Sequence, residues 1–293
     1  MSTATYEIID SPADIQYLVN LLTRQYKQLR DLDIPNSPLY IDVQGVNLNR
    51  VGPISLLTLL SSSTYYLVDI LQLGTIAFTT PSAQRAPAFI TPNTQTQTLK
   101  SIFEDAAIPK VFFDARNASA ALFGVQDIQL MECAARDVWL PRDYLISLDE
   151  CFEQTRPQME TLGRCFQKWE WTSAKEAGEK LIKPELGGSD KVFEERPIKK
   201  EIKKHCGGRV EYLPELRKML WEEKGEEWKE IVKVATERRV EETQEVGYLS
   251  LGRNEVVWRG EESKTLDFWI EKGQMGNHGV SQVKKPDQLK QWR

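Results

Sequence analysis

Apolar residues recur on one helical face at Ile15, Leu18, Val19, Leu22, Tyr26 and Leu29, the spacing of an amphipathic helix. Ser11-Pro12-Ala13-Asp14 marks its start: a hydroxyl N-cap, a proline at the first helical position and an acid in the first turn. Past Pro35 the pattern changes to short apolar runs bounded by Pro and Gly. One strand is predicted from near Leu39, a second over Ile54 to Leu60, and a third over Tyr65 to Ile70, together a β-meander of buried strands. The segment from Gly74 to Gln97, rich in Thr, Pro, Ala and Gln, reads as a long surface loop. A short helix over Leu99 to Ala106 and a strand over Lys110 to Phe113 follow. Then come a turn, a helix from about Asn117, and a further strand near Asp127 to Leu130. A strand, a helix and a returning strand imply an α/β fold, a mixed sheet flanked by helices.

From Leu145 the chain turns mainly helical, with turns at Pro184, Gly187-Gly188 and Pro197. A single charged helix is predicted over Pro214 to Gln244, its apolar stripe made by Leu216, Leu220, Ile231, Val234 and Val240; the rest of its surface is expected to be solvated. Beyond Gly260 aliphatic residues are few and a poorly ordered tail is expected, with Trp258, Trp269 and Trp292 as its anchors. The organisation expected is a domain over 1–215, a charged helical C-terminal extension packed on it over 216–259, and a tail over 260–293.

The 293 residues are 41% hydrophobic and 28% charged, the composition of a globular protein. No apolar run reaches the length of about 18 residues that suggests a membrane span, and the N-terminus lacks the basic start and apolar core of a signal peptide. An intracellular protein, cytoplasmic or nuclear, is expected, with no membrane partner. Cys133, Cys151, Cys165 and Cys206 form no CxxC pair, which argues against zinc and for reduced, buried thiols. The net charge of −5 is weak evidence against a strongly electrostatic nucleic-acid binder. Acids outnumber bases 16 to 10 up to residue 150 and nearly balance them, 27 to 28, afterwards. A basic surface therefore belongs to the second half.

Asp42 stands in the middle of an apolar strand, where a carboxylate costs free energy unless it is paired or coordinated. Its setting, IDVQGVNLNRVGPISLL, resembles the first motif, strand, Asp-x-Glu, strand, of the DEDD-type 3′–5′ exonucleases. The likeness is to the RNase D-like, Egalitarian-like branch and its ribonuclease-H-like fold. It extends over about Ile8 to Arg253, with flanking matches at Gly178, Pro184, Gly187-Gly188, Phe193, Arg196-Pro197 and Leu213-Pro214. The resemblance implies two-metal phosphodiester hydrolysis by four converging acids, assisted by a Tyr or His four residues before the last.

Position by position, the carboxylates are mostly missing. Asp42 matches the first acid, and Gln44 replaces the second. KVFFDARNA resembles the family's KVxxDxRND, which puts Ala118 where the third acid belongs; Asp114 is not the ligand there. HCGGRVEYLPEL resembles YCxxDVxYLPxL, which puts His205 at the Tyr/His position and Arg209 at the fourth acid. One acid kept and one cation gained sum to zero where four carboxylates would face two divalent ions. Paired metal binding is therefore expected to be lost, no cofactor is expected, and no catalytic set remains intact. His205 as a lone general base would supply only about 10²–10⁴-fold. Asp69, Asp114, Asp127 and Glu211 are the acids whose position in the chain would let them substitute.

Arg209 has two readings: an internal ion pair with Asp42 in place of the metals, or a direct contact to phosphate. The pair is the expectation, with phosphate contact as an addition. Lys199, Lys200, Lys203, Lys204 and Arg209 form the densest basic cluster and, with Asn117, are the candidate nucleic-acid contacts. The expected function is a degenerate exonuclease domain that binds single-stranded nucleic acid, RNA ahead of DNA, or a protein partner or second copy, without hydrolysis. The alternatives are an active exonuclease using Mg²⁺ or Mn²⁺ at an unorthodox site, and a protein-interaction scaffold working through the charged helix.

Overall fold

The computed structural model describes residues 5–48, 53–83, 96–117, 122–161, 168–245, 247–248, 257–258 and 260–271. The chain divides into two compact units. The first comprises residues 1–112, 117–126 and 169–211, and the second 113–116, 127–168 and 212–293.

The first unit is built on a six-stranded mixed sheet: β1 (Thr5–Ile9), β2 (Leu39–Gln44), β3 (Leu56–Ser61), β4 (Thr64–Asp69), β5 (Lys110–Phe112) and β6 (Val125–Asp127), in the order β1-β4-β3-β2-β5-β6. β2, β3 and β4 form the antiparallel meander read from the sequence, while β1 runs parallel to β4 and β5 parallel to β2. Every residue of β3 is buried, which suits a central strand with both faces covered and explains why its apolar residues do not alternate with exposed polar ones. The sheet alternates as period-two geometry requires. Leu56, Leu67 and, from helix α8 (Lys200–Glu211), Ile202 and Cys206 share one cluster. On the other face Ser61 donates to Gln25 of α1 (Pro12–Asp31), 2.9 Å. The N-cap of α1 is Ser11, which accepts from the Asp14 amide, and its buried face is Ile15, Leu18, Val19, Leu22 and Tyr26.

Two glycines permit close approaches that bring site elements together. A Cβ on Gly45, just after β2, would lie 2.2 Å from the Pro53 carbonyl oxygen, where Ser55 N–H donates to Gln44 at 2.8 Å. A Cβ on Gly207 would lie 2.6 Å from the Tyr65 ring, so this glycine lets α8 rest directly on β4. The rest of this unit's helices are α2 (Ile70–Leu73), α3 (Ile76–Thr79), α4 (Leu99–Glu104) and most of α7 (Lys168–Ile182). α4 starts in a capping box between Thr98 and Ser101.

The second unit is helical: α5 (Ile128–Ala135), α6 (Leu148–Thr161), α9 (Leu213–Arg217), α10 (Glu226–Glu242) and α11 (Gly260–Glu271). All eight residues of α5 are buried, so it forms the centre of this unit. Polar clusters tie the other segments to it. Trp258 Nε1 donates to Cys133 Sγ at 3.2 Å, Arg136 pairs with Glu132 at 2.7 Å, and the rings of Phe152 and Tyr212 lie 4.6 Å apart. Among the described residues no helix is long and apolar enough to cross a membrane.

Several expectations are corrected. The sheet starts at β1, ahead of α1, and not near Leu39; the β-favouring run Tyr6, Ile8, Ile9 is the signal for it. The strand read over Asp127 to Leu130 ends at Asp127, because that carboxylate accepts from the Gln129 amide and caps α5 instead. The loop after Gly74 contains α3. Ala115–Asn117 forms a 3₁₀ turn; the helix expected from about Asn117 falls largely, with Ala118, outside the described residues. The single charged helix is α9, a π-turn (Lys218–Glu222) and α10, broken at Gly225, which serves as the N-cap of α10. Val234 is exposed and Ile231 half-buried, while Trp228, Val232, Ala235 and Arg239 are buried in their place. The expected tail continues to Glu271 as α11, and Trp292 lies outside the described residues.

Candidate functional site

β2 and β3 set Asp42 directly opposite Thr58. Gln44, two residues along β2, emerges on the same face, and α8 crosses that face above them. Asp42 is nearly buried, its side chain 10% exposed, and Arg209 closes over it, one third exposed. Arg209 Nε lies 3.0 Å from each carboxylate oxygen of Asp42, and Gln44 Nε2 donates to Oδ2 at 2.6 Å. The expected ion pair is thus present, and Gln44 completes it: its amide has the reach of a glutamate and supplies a donor to the carboxylate.

Cys206, three residues before Arg209, is fully buried beside this pair. Burial, reinforced by the Asp42 carboxylate, pushes its thiol up to about 12, with Arg209 pulling the other way. It is an inert packing residue, not a nucleophile. Thr58 lies outside the motifs, and its signal is that it is the polar break in the run LLTLL; Cys206 is the cysteine of the HCGGRVEYLPEL stretch, one turn before Arg209.

The remaining candidates do not converge. At about 100° per residue, Gly207, which faces Tyr65 on β4, and Arg209, which faces Asp42 on β2, point to opposite flanks of α8. His205 turns with Arg209, and a Cβ on Gly178 of α7 would lie 2.7 Å from His205 Cβ, so α7 packs against it. Lys200, Lys203 and Lys204 turn with Gly207. Lys199 is engaged by Glu195 at 2.6 Å and lines a cleft of about 410 Å³ with Glu176, Lys180 and Glu201, whose charges are mixed. The basic cluster of the sequence is therefore two surfaces. Asn117 ends the 3₁₀ turn.

The other acids that the sequence offers as metal ligands are each engaged elsewhere. Asp69 accepts from Arg196 Nε and, at 2.6 Å, from Nη2. Asp114 is bound by Arg116 at 2.5 Å, which helps hold its carboxyl below the usual carboxylate range. Asp127, fully buried, accepts from Arg239 Nη1 at 2.6 Å and from the Ala115 amide at 2.9 Å. Glu211 lies near Tyr65 and, with burial, contributes to pushing that phenol up to about 12.

A search of solved structures finds the same architecture elsewhere. Trypanosoma brucei RNase D matches with a TM-score of 0.56 over 94% of this chain and 83% of that one. The chain has the RNase D fold. The RNase D likeness is one of fold, since identity is 17%. The same protein in complex with RNA U12 matches with a TM-score of 0.59 at 15% identity, over 89% of this chain and 79% of that one. No protein-family model and no curated protein matches the sequence.

In an active RNase D-like domain two divalent ions would occupy this face of the sheet. The donors here do not fit them. Of the four motif positions, one carries a carboxylate, and its oxygens are taken by Arg209 and Gln44. Among the described residues no three His, Cys, Asp or Glu side chains gather to form a metal site. A guanidinium within hydrogen-bonding distance of the remaining ligand repels a cation by several kcal/mol even at an effective dielectric of about 20.

Proposed function

We propose that this chain is an RNase D-fold protein that binds single-stranded RNA and does not cleave it. The observation that carries the reading is the Asp42–Arg209 pair with Gln44 as its third member: charge neutralisation that metals would supply comes from the chain itself. Without the metals no hydroxide nucleophile is generated at neutral pH, and His205 alone does not replace one. The fold shared with an RNase D seen with RNA supports RNA as the ligand, and the lysines of α8, which pair with no acid among the described residues, supply the charge.

The charged helix, the basis of the scaffold alternative, is largely engaged within its own unit. Arg239 pairs with Asp127 and Arg238 with Glu262, both at 2.6 Å. The test is a 5′-labelled single-stranded RNA incubated with the protein in Mg²⁺ or Mn²⁺, with binding read by anisotropy. Salt-dependent binding with no shortening is expected. Shortening from the 3′ end that disappears in Asp42→Ala would establish the active alternative, and absence of RNA binding would leave only a protein partner.

A further inference from the structure

We infer that RNA is held on the β1–β4 edge of the first unit, by a tyrosine stack and the lysine flank of α8, away from the Asp42–Arg209 pair. This rests on the reading that the chain binds single-stranded RNA. Tyr6 and Tyr65 are register partners on β1 and β4. Their rings stack at 5.9 Å with an interplanar angle of 12°. β1 is the terminal strand of the sheet, so among the described residues no further strand covers the outer face of Tyr6, which is 46% exposed. A nucleobase laid on that face would extend a two-ring stack, a contact tolerant of base identity.

The charge beside it has the right sign. Gly207 seats α8 on Tyr65, and Lys200, Lys203 and Lys204 fall within about 60° of Gly207 on the helix. Lys200 and Lys204 are exposed and Lys203 half-buried, and none pairs with an acid among the described residues. Glu211, near Tyr65, is the opposing charge on this flank, and the balance stays positive. Glu7 points to the other face of β1, beside Tyr66. Burial pushes the Tyr65 phenol up to about 12, so its ring puts no negative charge beside a phosphate backbone. Aromatic faces bordered by lysines along one track are how proteins hold single strands without reading sequence.

The probe is a fluorescein-labelled oligo(U) RNA, with a 5-iodouridine version for photo-crosslinking. Tyr6→Ala should weaken binding by about five-fold or more, whereas Tyr6→Phe should bind within two-fold of the parent. Lys200→Ala with Lys204→Ala should flatten the salt dependence by about 0.7 per lysine, and crosslinks should map to the peptide containing Tyr6. Lys204→Glu, at an exposed position, repeats the test without touching the sheet. If the parent binds RNA but these variants bind as it does, and crosslinks fall near Arg209, the edge is not the site and the broader reading survives. If the parent does not bind oligo(U), both fail together.

Discussion

Removing Arg209 is the sharpest test of how Asp42 is tolerated inside the sheet. At about 4 Å between charge centres and an effective dielectric of about 20, the gross attraction is about 4 kcal/mol. Desolvation of the two groups offsets much of it, so the intact pair adds little net stability. Breaking it is a different matter. Arg209→Ala leaves a nearly buried carboxylate with Gln44 as its remaining donor. A fully buried pair broken this way costs about 3–5 kcal/mol; Arg209 is one third exposed, so screening reduces the expectation to about 1–3 kcal/mol. Asp42→Asn should cost less, because the guanidinium can turn to water, and the double variant should recover about 1–2 kcal/mol of the summed loss. Hydrogen exchange of the β2 and β3 amides, read by mass spectrometry, places the measurement in the first unit and does not assume that the whole chain unfolds in one step. Additivity of the two single changes to within about 0.5 kcal/mol would refute the compensation argument.

Restoring acids should restore metal binding. Gln44→Glu, Ala118→Asp and Arg209→Asp together are expected to gain a melting-temperature increase with Mn²⁺ or Mg²⁺, about 2.7 kcal/mol at a hundred-fold excess over the dissociation constant, and an equal increase in the parent would show that its own residues hold the metal. Asp127→Ala strips Arg239, 3% exposed, of its shortest ion pair, along with acceptors for the Asp114, Ala115 and Gln129 amides. A loss of about 3 kcal/mol or more is expected from urea unfolding followed by Trp fluorescence, and a loss below about 1 kcal/mol would show that the cluster relaxes. Lys110 is fully buried at the start of β5, and burial lowers its ammonium to about 8. Between about 8 and its unfolded value the unfolded chain binds the extra proton, so its contribution makes stability rise with pH. The parent should gain about 1.6 kcal/mol on Lys110→Met between about pH 8 and 9.5; tyrosine ionisation is common to both proteins and cancels in the difference. A pH-independent difference between the two would place the ammonium in solvent.

The sequence carried the α/β class and the meander because each depends on spacing along the chain. Alternation and run length identify β2 to β4 without coordinates. What it did not carry depends on competition between local and distant partners. Asp127 could have extended a strand, but its carboxylate caps α5 and pairs with Arg239, more than a hundred residues away, so the strand stops. The helix over Pro214 to Gln244 looked continuous because its composition is uniform. Its break at Gly225 and the burial of Trp228, Val232 and Arg239 reflect packing within the second unit. The basic cluster looked single because adjacent letters share a sign; the turn of α8 divides it between two flanks.

By itself the sequence determined the charge at the four positions its resemblance singles out: one acid, an amide, a methyl and a guanidinium. The tertiary structure decided where those charges go. It closed Arg209 onto Asp42 and turned the lysines of α8 to the flank that carries Gly207, because that glycine lets the helix settle on Tyr65 at one rotation, and that rotation sends residues two positions apart in opposite directions.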